Sequence, residues 1–316
     1  MKIITMNDIK KAKIDYYQYL SWIDYPLRHR EDFVFPTKSR ITLNGSNYCN
    51  LMPCALPSED ILGIKIINRN EKRRQLGRLN LDSQVLLYSY NTCELKAVMD
   101  GNYITTVRTA AVAVHTIMNM VNDYEVVSLV GLGNIMCAIG EMWFPTIKKK
   151  TIIKLIEYKD QAERFIERFS NYDLIEFRIC KSYDELMRDS DLILSAVSYI
   201  ENDFCSYTIY KKGCTIIPIH LRGFMECDKH FDNIVVSDLI RARGFTYYDQ
   251  MKRVTYTDDI LNNKEEVRKN KDDRVIIYNL GLAITDLVFA EHIYREINNK
   301  DDIVLGTNKK FYFSNR

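Results

Sequence analysis

Long hydrophobic runs are missing from this chain. No stretch of about eighteen apolar residues occurs, so nothing reads as a spanning helix. The opening MKIITMNDIKKAKIDYYQYL carries a charge every few residues, unlike a secretory leader. The expected location is therefore the cytoplasm. Net charge is nearly absent too: 44 Lys plus Arg against 42 Asp plus Glu leave +2, spread along the chain rather than gathered in a tail. That provides no electrostatic footprint for nucleic acid and points to small-molecule ligands. Metal-ligand spacing is also lacking. The cysteines, at 49, 54, 93, 137, 180, 205, 214 and 227, include no Cys-x-x-Cys pair, and the histidines, at 29, 115, 220, 230 and 292, include no His-x-x-x-His. The thiols read as reduced and structural, since free Cys packs as a small hydrophobe, and no metal is expected. Repeats and low-complexity stretches are missing as well, although the Asn/Lys/Asp-rich segment 262–273 reads as an exposed loop.

What is present is 316 residues, 47% apolar and 27% charged, enough for two ordinary domains with real cores. From about residue 115 short apolar runs alternate with amphipathic stretches: VVSLVGLG (126–133), a helix over 134–144, TIIKLIE (151–157), a helix over 160–170, DLILSAVS (191–198) and CTIIPIH (214–220). Strands alternating with helices predict a doubly wound parallel sheet, and the unbroken apolar character of the runs predicts burial on both faces. The first hundred residues differ. Period-2 segments such as SRITLNG, IKIINRN and SQVLLYSYNTCELKAVMD, broken by turn-like NG, NRN and YNT, predict a mostly antiparallel sheet. Between the halves, Thr105 reads as the cap of a helix over TTVRTAAVAVHTIMNMV, and a last amphipathic helix is expected at about 283–298.

The sharpest chemical signal is Gly131-Leu132-Gly133, which follows a strand and opens a helix. Two glycines there let the backbone approach a pyrophosphate at a helix N-terminus, whereas a plain tight turn would need no ligand. The third glycine of that fingerprint is replaced by Met136, with Gly140 four residues later. Glu157 stands about twenty residues beyond, where a carboxylate can bond the ribose hydroxyls of NAD and repel a 2′-phosphate; Lys159 and Arg164 nearby leave NADP open. Arg108 falls in the first turn of the expected 105–121 helix, where the macrodipole disfavours a cation unless an anion is bound. Lys65 interrupts the apolar run ILGIKIIN, so its charge must find a partner, either a substrate carboxylate or a structural ion pair. His220 and Arg222 emerge at a strand's C-terminal end, and His220 suits acid or base chemistry near neutral pH. Ser195, Ala196 and Val197 end the neighbouring strand, and such small residues would let a nicotinamide pass.

Taken together, MDGNYITTVRTAAVAVHT followed by SLVGLGNIM, with SRI at 39–41, NLMP at 50–53, GIKIIN at 63–68, DLILSAVS and NLGLAITDL at 279–287, resembles the ornithine cyclodeaminase/mu-crystallin family from about Arg40 to Asp286. The resemblance implies an α/β protein: a mostly antiparallel α+β substrate-binding and dimerisation domain over 1–112, a Rossmann NAD-binding domain over 113–286, and a C-terminal helix at 287–316 that returns to the first domain. It implies a homodimer joined through the N-terminal sheets. It assigns Arg40, Lys65 and Arg108 to the substrate carboxylate and Asn50 to the substrate pocket, Asn134, Ile135 and Glu157 with the glycines to the cofactor, and Asn80, Arg108 and Thr109 to further cofactor contacts. Two positions depart from the cyclodeaminases. Asn50 stands where they carry Glu, and Arg222 falls where they carry their catalytic Asp, an exchange that cannot shuttle protons but could bind a second carboxylate. The function expected is an NAD(H)-dependent oxidoreductase acting at the C–N bond of an amino or imino acid, with His220, Arg222 and Lys65 as catalytic candidates. The alternatives are a true cyclodeaminase that recycles bound NAD, and a dinucleotide-binding protein without turnover.

Overall fold

The computed structural model describes residues 1–36, 38–198 and 200–297. The chain divides into two compact units, one of Met1–Ile14, Glu31–Thr105 and the chain from Asp286, the other of Asp15–Arg30 and Thr106–Thr285. Of the expected C-terminal stretch 287–316, the part from 298 lies outside the described residues.

The first unit is built on a six-stranded sheet: β1 Lys2–Ile4, β2 Ser39–Thr42, β3 Tyr48–Leu56, β4 Ile61–Arg69, β5 Leu81–Ser89 and β6 Leu95–Asp100, in the order β1-β6-β5-β4-β3-β2. The β2-to-β6 pairs are all antiparallel, as the period-2 pattern predicts, and the short β1 adds in parallel to β6. Alternation decides which residues are covered. Ile61, Gly63 and Lys65 of β4 share the buried face with Met52 and Cys54 of β3 and with Val85 and Leu87 of β5. The opposite face carries Leu51, Ile64, Ile66, Leu86 and Val98, all half-exposed. Gly63 is a packing requirement, because a Cβ there would lie 2.5 Å from the Leu86 carbonyl oxygen and 3.2 Å from Leu287.

The second unit holds an eight-stranded sheet: β7 Val126–Val130, β8 Thr151–Ile156, β9 Ile175–Cys180, β10 Leu192–Ser195, β11 Thr215–Pro218, β12 Asn233–Val236, β13 Val254–Tyr256 and β14 Val275–Tyr278. Its order is β13-β12-β14-β11-β10-β7-β8-β9, and every pairing among the described residues is parallel. The four residues of β10, β11, β12 and β14 are buried without exception, which explains why these runs read as continuous rather than alternating. The sheet is Rossmann-type. Winding reverses between β7 and β10, and in such sheets ligands bind in the crevice at the carboxyl ends of the strands that flank the reversal.

Two expectations need correction. The helix expected from Thr105 runs Gly101–Met120. Its cap is Asp100, whose carboxylate accepts the Tyr103 N–H at 2.7 Å, while Thr105 lies inside the helix and returns its hydroxyl to the Gly101 carbonyl at 2.5 Å. Gly101 is needed at the start, because a Cβ would lie 2.6 Å from the Ser83 backbone. The second concerns Asp15–Arg30, placed by position in a domain over 1–112. It forms the helix Tyr16–Arg28, opened by a reciprocal Asp15/Gln18 capping box, and clusters with the second unit. There Asp24 bonds His115 at 2.7 Å, Arg28 donates to the Leu261 carbonyl, and Asn262 donates back to the Arg28 carbonyl at 2.9 Å. No helix among the described residues is long and apolar enough to cross a membrane.

Candidate functional site

The glycine turn after β7 is shaped by main chain. Gly131 has φ +78°, a conformation that favours glycine. An added Cβ would stand 2.8 Å from the Ala196 carbonyl carbon and 2.9 Å from the Val197 nitrogen, so glycine is also what lets the turn after β7 approach the chain leaving β10. Gly133 differs in kind. Its φ is −84°, it caps the helix Asn134–Trp143 with no side-chain cap bond, and a Cβ there would meet nothing within 4 Å. The helix opening at Asn134 and Ile135 thus presents N–H groups to open space, as an anion site requires. The replaced third glycine has its counterpart one turn on: a Cβ on Gly140 would lie 2.6 Å from the Phe169 ring, so helix packing is served there. A cavity of about 370 Å³ adjoins the turn, lined by Gly133, Asn134, Cys137, Gln161 and Arg164 among others. Glu157, the first residue beyond β8, is exposed, and its carboxylate accepts the Ala162 N–H at 3.3 Å. Arg164 pairs with Asp160 at 3.0 Å. These residues fit a dinucleotide: the glycines make room for phosphates, and a carboxylate stands at the end of the next strand.

On the other side of the winding reversal, the ends of β10 and β11 bring a hydroxyl and an imidazole together. Ser195 is fully buried and its Oγ lies 2.6 Å from His220 Nε2. The strand register continues past the sheet, with the Ile219 N–H on the Ser195 carbonyl at 2.7 Å and the Ala196 N–H on the Val130 carbonyl at 2.8 Å. Burial against Phe204 and Phe224 pushes the His220 imidazole down to about 4, against a smaller opposing pull from the Arg222 backbone, so the ring is neutral at pH 7. Its Nδ1 is buried without a hydrogen-bond partner among the described residues. Arg222 is exposed, beside Gly223 at φ +95°.

Arg108 lies two turns into the helix Gly101–Met120, not in its first turn, so the macrodipole reasoning does not apply to it. The residue is nevertheless 8% exposed, and its guanidinium borders Gly281: a Cβ there would lie 3.3 Å from one Nη and 3.4 Å from the other. Thr109 follows it, half-buried.

In the first unit, Lys65 is fully buried and its Nζ bonds Asp286 Oδ1 at 2.6 Å, with both side chains at 0% exposure. The sequence demanded a partner for this charge and left its identity open; Asp286 is one. Burial, with the Asp286 charge adding, pushes the nearby Cys54 thiol up to about 12. All eight cysteines are free, and burial likewise holds Cys214 at about 12. Asn50 is 2% exposed with its Oδ1 lacking a hydrogen-bond partner among the described residues. Arg40, on the outermost strand and paired in register with Asn50, stacks its guanidinium 3.9 Å from the Tyr48 ring centroid. Asn80 precedes β5, where its carbonyl accepts the Asn70 N–H at 2.9 Å. The sequence does not single out Asp286, although it lies within NLGLAITDL, or Arg241, which stands in no motif, because each acquires its role only through chain crossovers.

A Rossmann sheet with a glycine turn at the reversal and a Ser–His pair at the adjoining strand ends defines a dinucleotide-dependent class of protein. Residues 6–216 match the model of the ornithine cyclodeaminase/mu-crystallin family, and the chain belongs to that family. It is 22% identical over 301 residues to the nodulation efficiency protein NfeD of Rhizobium meliloti, covering 92% of this chain and 93% of that one. Among solved structures it is similar to the delta(1)-pyrroline-2-carboxylate reductase of Thermococcus litoralis in complex with NADH and L-proline, with a TM-score of 0.78 at 18% identity, covering 94% and 97% of the two chains. An archaeal alanine dehydrogenase dimer with bound NAD gives a TM-score of 0.80 at 18% identity, covering 98% and 99%.

Proposed function

We propose that this protein is an NAD(H)-dependent oxidoreductase acting at the C–N bond of an amino or imino acid. The observation that carries the reading is the pairing of an uncapped, open Gly133 helix start with the Ser195–His220 pair on the strands across the reversal. Gly131, Gly133, Asn134 and Ile135 would hold the pyrophosphate, Glu157 the ribose hydroxyls, and Ser195 to Val197 the flank of the nicotinamide half. Bound nicotinamide supplies hydride transfer to or from the carbon next to a carboxylate. Arg108 serves as a receptor for that carboxylate, and positioning of this kind accounts for much of such a rate gain, whereas the fully buried Lys65 is engaged by Asp286. His220, neutral and bonded to Ser195, accepts the proton released on oxidation of the amine and returns one on reduction of the imine. Its burial shields that exchange from bulk water. Asn50 keeps polarity without charge where cyclodeaminases carry Glu, which favours net redox chemistry over ammonia loss.

The free thiols suit a reducing compartment, and we place the protein in the cytoplasm. The half-exposed apolar face of the six-stranded sheet and the dimeric alanine dehydrogenase neighbour support a homodimer. The deciding experiment incubates the purified protein with NADH and cyclic imines or keto acids with ammonia, following nicotinamide absorbance and free ammonia together. Net NADH consumption is the expected result. Ammonia release from ornithine without net NADH would establish a cyclodeaminase instead, and tight NADH binding without any turnover would leave a binding protein.

A further inference from the structure

A second arginine, which stands in no motif, lies beside Arg108. Arg241 sits on the short helix Leu239–Ala242 that follows β12, and its Nη1 donates to the Gly281 carbonyl at 3.0 Å. Gly281 follows β14, and the Arg108 guanidinium lies against its Cα side. Two guanidinium groups from distant parts of the chain therefore bracket one glycine. A cavity of about 70 Å³ opens at the same place, bounded by His220, Arg241, Asn279 and Gly281. That is room for one carboxylate or roughly two waters. Asn279 is held in place by Thr116, whose hydroxyl accepts its Nδ2 at 3.0 Å.

The placement separates this cavity from the cofactor's phosphates. It lies at the carboxyl ends of β11, β12 and β14, and β14 is three strands from β7, roughly 14 Å at the usual strand spacing. His220, assigned above to proton transfer, borders it. Burial and the Arg108 charge both press against the charged form of Arg241, and Asp238, whose carboxylate takes the Arg241 backbone N–H at 3.1 Å, favours it. Arginine does not relieve such pressure by losing its proton. A guanidinium that borders the same cavity as a proton-transfer group, with the buried Arg108 guanidinium across Gly281 from it, is suited to a ligand that brings more than one negative charge.

We propose that Arg241 is a specificity-determining residue that receives the second carboxylate of a dicarboxylic imino or amino acid, next to the carboxylate received by Arg108. This rests on the oxidoreductase reading for its substrate class. It also moves the second-carboxylate role from the exposed Arg222 to a guanidinium that borders the His220 cavity. The fork of Arg241 keeps one arm on the Gly281 carbonyl and turns the rest toward the ligand, geometry that lysine cannot reproduce.

The test compares wild type, Arg241→Gln and Arg241→Lys, each first shown to unfold cooperatively in urea. With NADH present, succinate and 2-oxoglutarate are titrated by calorimetry against acetate and pyruvate. Wild type should bind the dicarboxylates at least tenfold more tightly than the monocarboxylates. Arg241→Gln should abolish that preference while NADH affinity changes less than twofold, and Arg241→Lys should fall between them. In turnover, Arg241→Gln should raise KM for a dicarboxylic imine about 30-fold or more and leave KM for a monocarboxylic cyclic imine unchanged. Equal binding of both classes by wild type, or equal losses for both in the variant, would overturn the assignment and leave Arg241 as a strut for the Gly281 turn. Binding preference without turnover of any imine would uphold the receptor and sink the oxidoreductase reading. If Arg241→Gln does not fold, Arg241→Lys decides by the same ratio of affinities.

Discussion

Gly131 and Gly133 sit two residues apart in one turn, yet alanine at each should fail in a different way. At Gly131 the new methyl meets the main chain of Ala196 and Val197 at 2.8 to 2.9 Å, and the residue must also hold φ +78°. Positive φ on a non-glycine residue costs about 1 to 3 kcal/mol, and overpacking against atoms that cannot swing aside costs about 1 to 3 more. Gly131→Ala should therefore lose about 2 to 6 kcal/mol of stability. At Gly133 the methyl meets nothing within 4 Å and φ is −84°. The cost there is the weaker helix cap, below about 1 kcal/mol. The same methyl stands where we place the pyrophosphate, so NADH affinity should fall at least tenfold, equivalent to about 1.4 kcal/mol. Both tryptophans, Trp22 and Trp143, belong to the second unit, so their fluorescence in urea reports its unfolding. NADH titration on the folded variants reports binding. If Gly133→Ala destabilises as much as Gly131→Ala, or binds NADH like wild type, the reading of this turn is wrong.

Three further outcomes are expected. Asp228, 4% exposed and bonded by the Tyr278 hydroxyl at 2.9 Å, is pushed up by burial from 3.8 to about 7. Its contribution is fully present below pH 3.8 and is lost as pH rises through 7, so Asp228→Asn should be more stable than wild type at pH 8 by up to about 4 kcal/mol and equal to it near pH 4; equal urea midpoints at pH 8 would refute this. Lys65→Met strips the buried Asp286 carboxylate of a partner and should cost about 3 to 5 kcal/mol by urea titration, whereas a loss under 1 kcal/mol would mean that the pair is not desolvated. Because His220 is held down at about 4, the acid limb of kcat/KM should fall near pH 4 rather than 6.5, and His220→Phe should lower kcat about 100-fold or more; an acid limb between pH 6 and 7 would show that the ring titrates normally.

The parallel sheet was legible because β7, β10 and β11 are buried on both faces and so read as unbroken apolar runs, whereas β8 alternates and carries Lys154. The antiparallel sheet was legible because β4 and β5 alternate. The helix Tyr16–Arg28 was missed, although Asp15 and Gln18 spell a capping box in plain sequence. The start of the next long helix was misplaced because Thr105 has the chemistry of a cap and Asp100, the true cap, sits at the end of a strand. In the site, glycines and strand-end residues could be read locally, since a turn's geometry is written within a few positions. Lys65 announced that it needed a partner but not which one, because Asp286 comes from 221 residues away. Arg241 announced nothing, since its significance is a neighbour, and neighbours across crossovers are not encoded in spacing.

The approach of Gly131 to the Ala196–Val197 backbone also bears on how such a protein can diverge. Main chain touching main chain sets the width there, so substitution of surrounding side chains leaves that dimension alone. Residues at the ends of β11, β12 and β14 are under no such constraint. The gauge of the machine is fixed at one rim and its tooling is interchangeable at the other, so new substrates can be reached by exchanging a few terminal side chains without rebuilding the part that holds the cofactor.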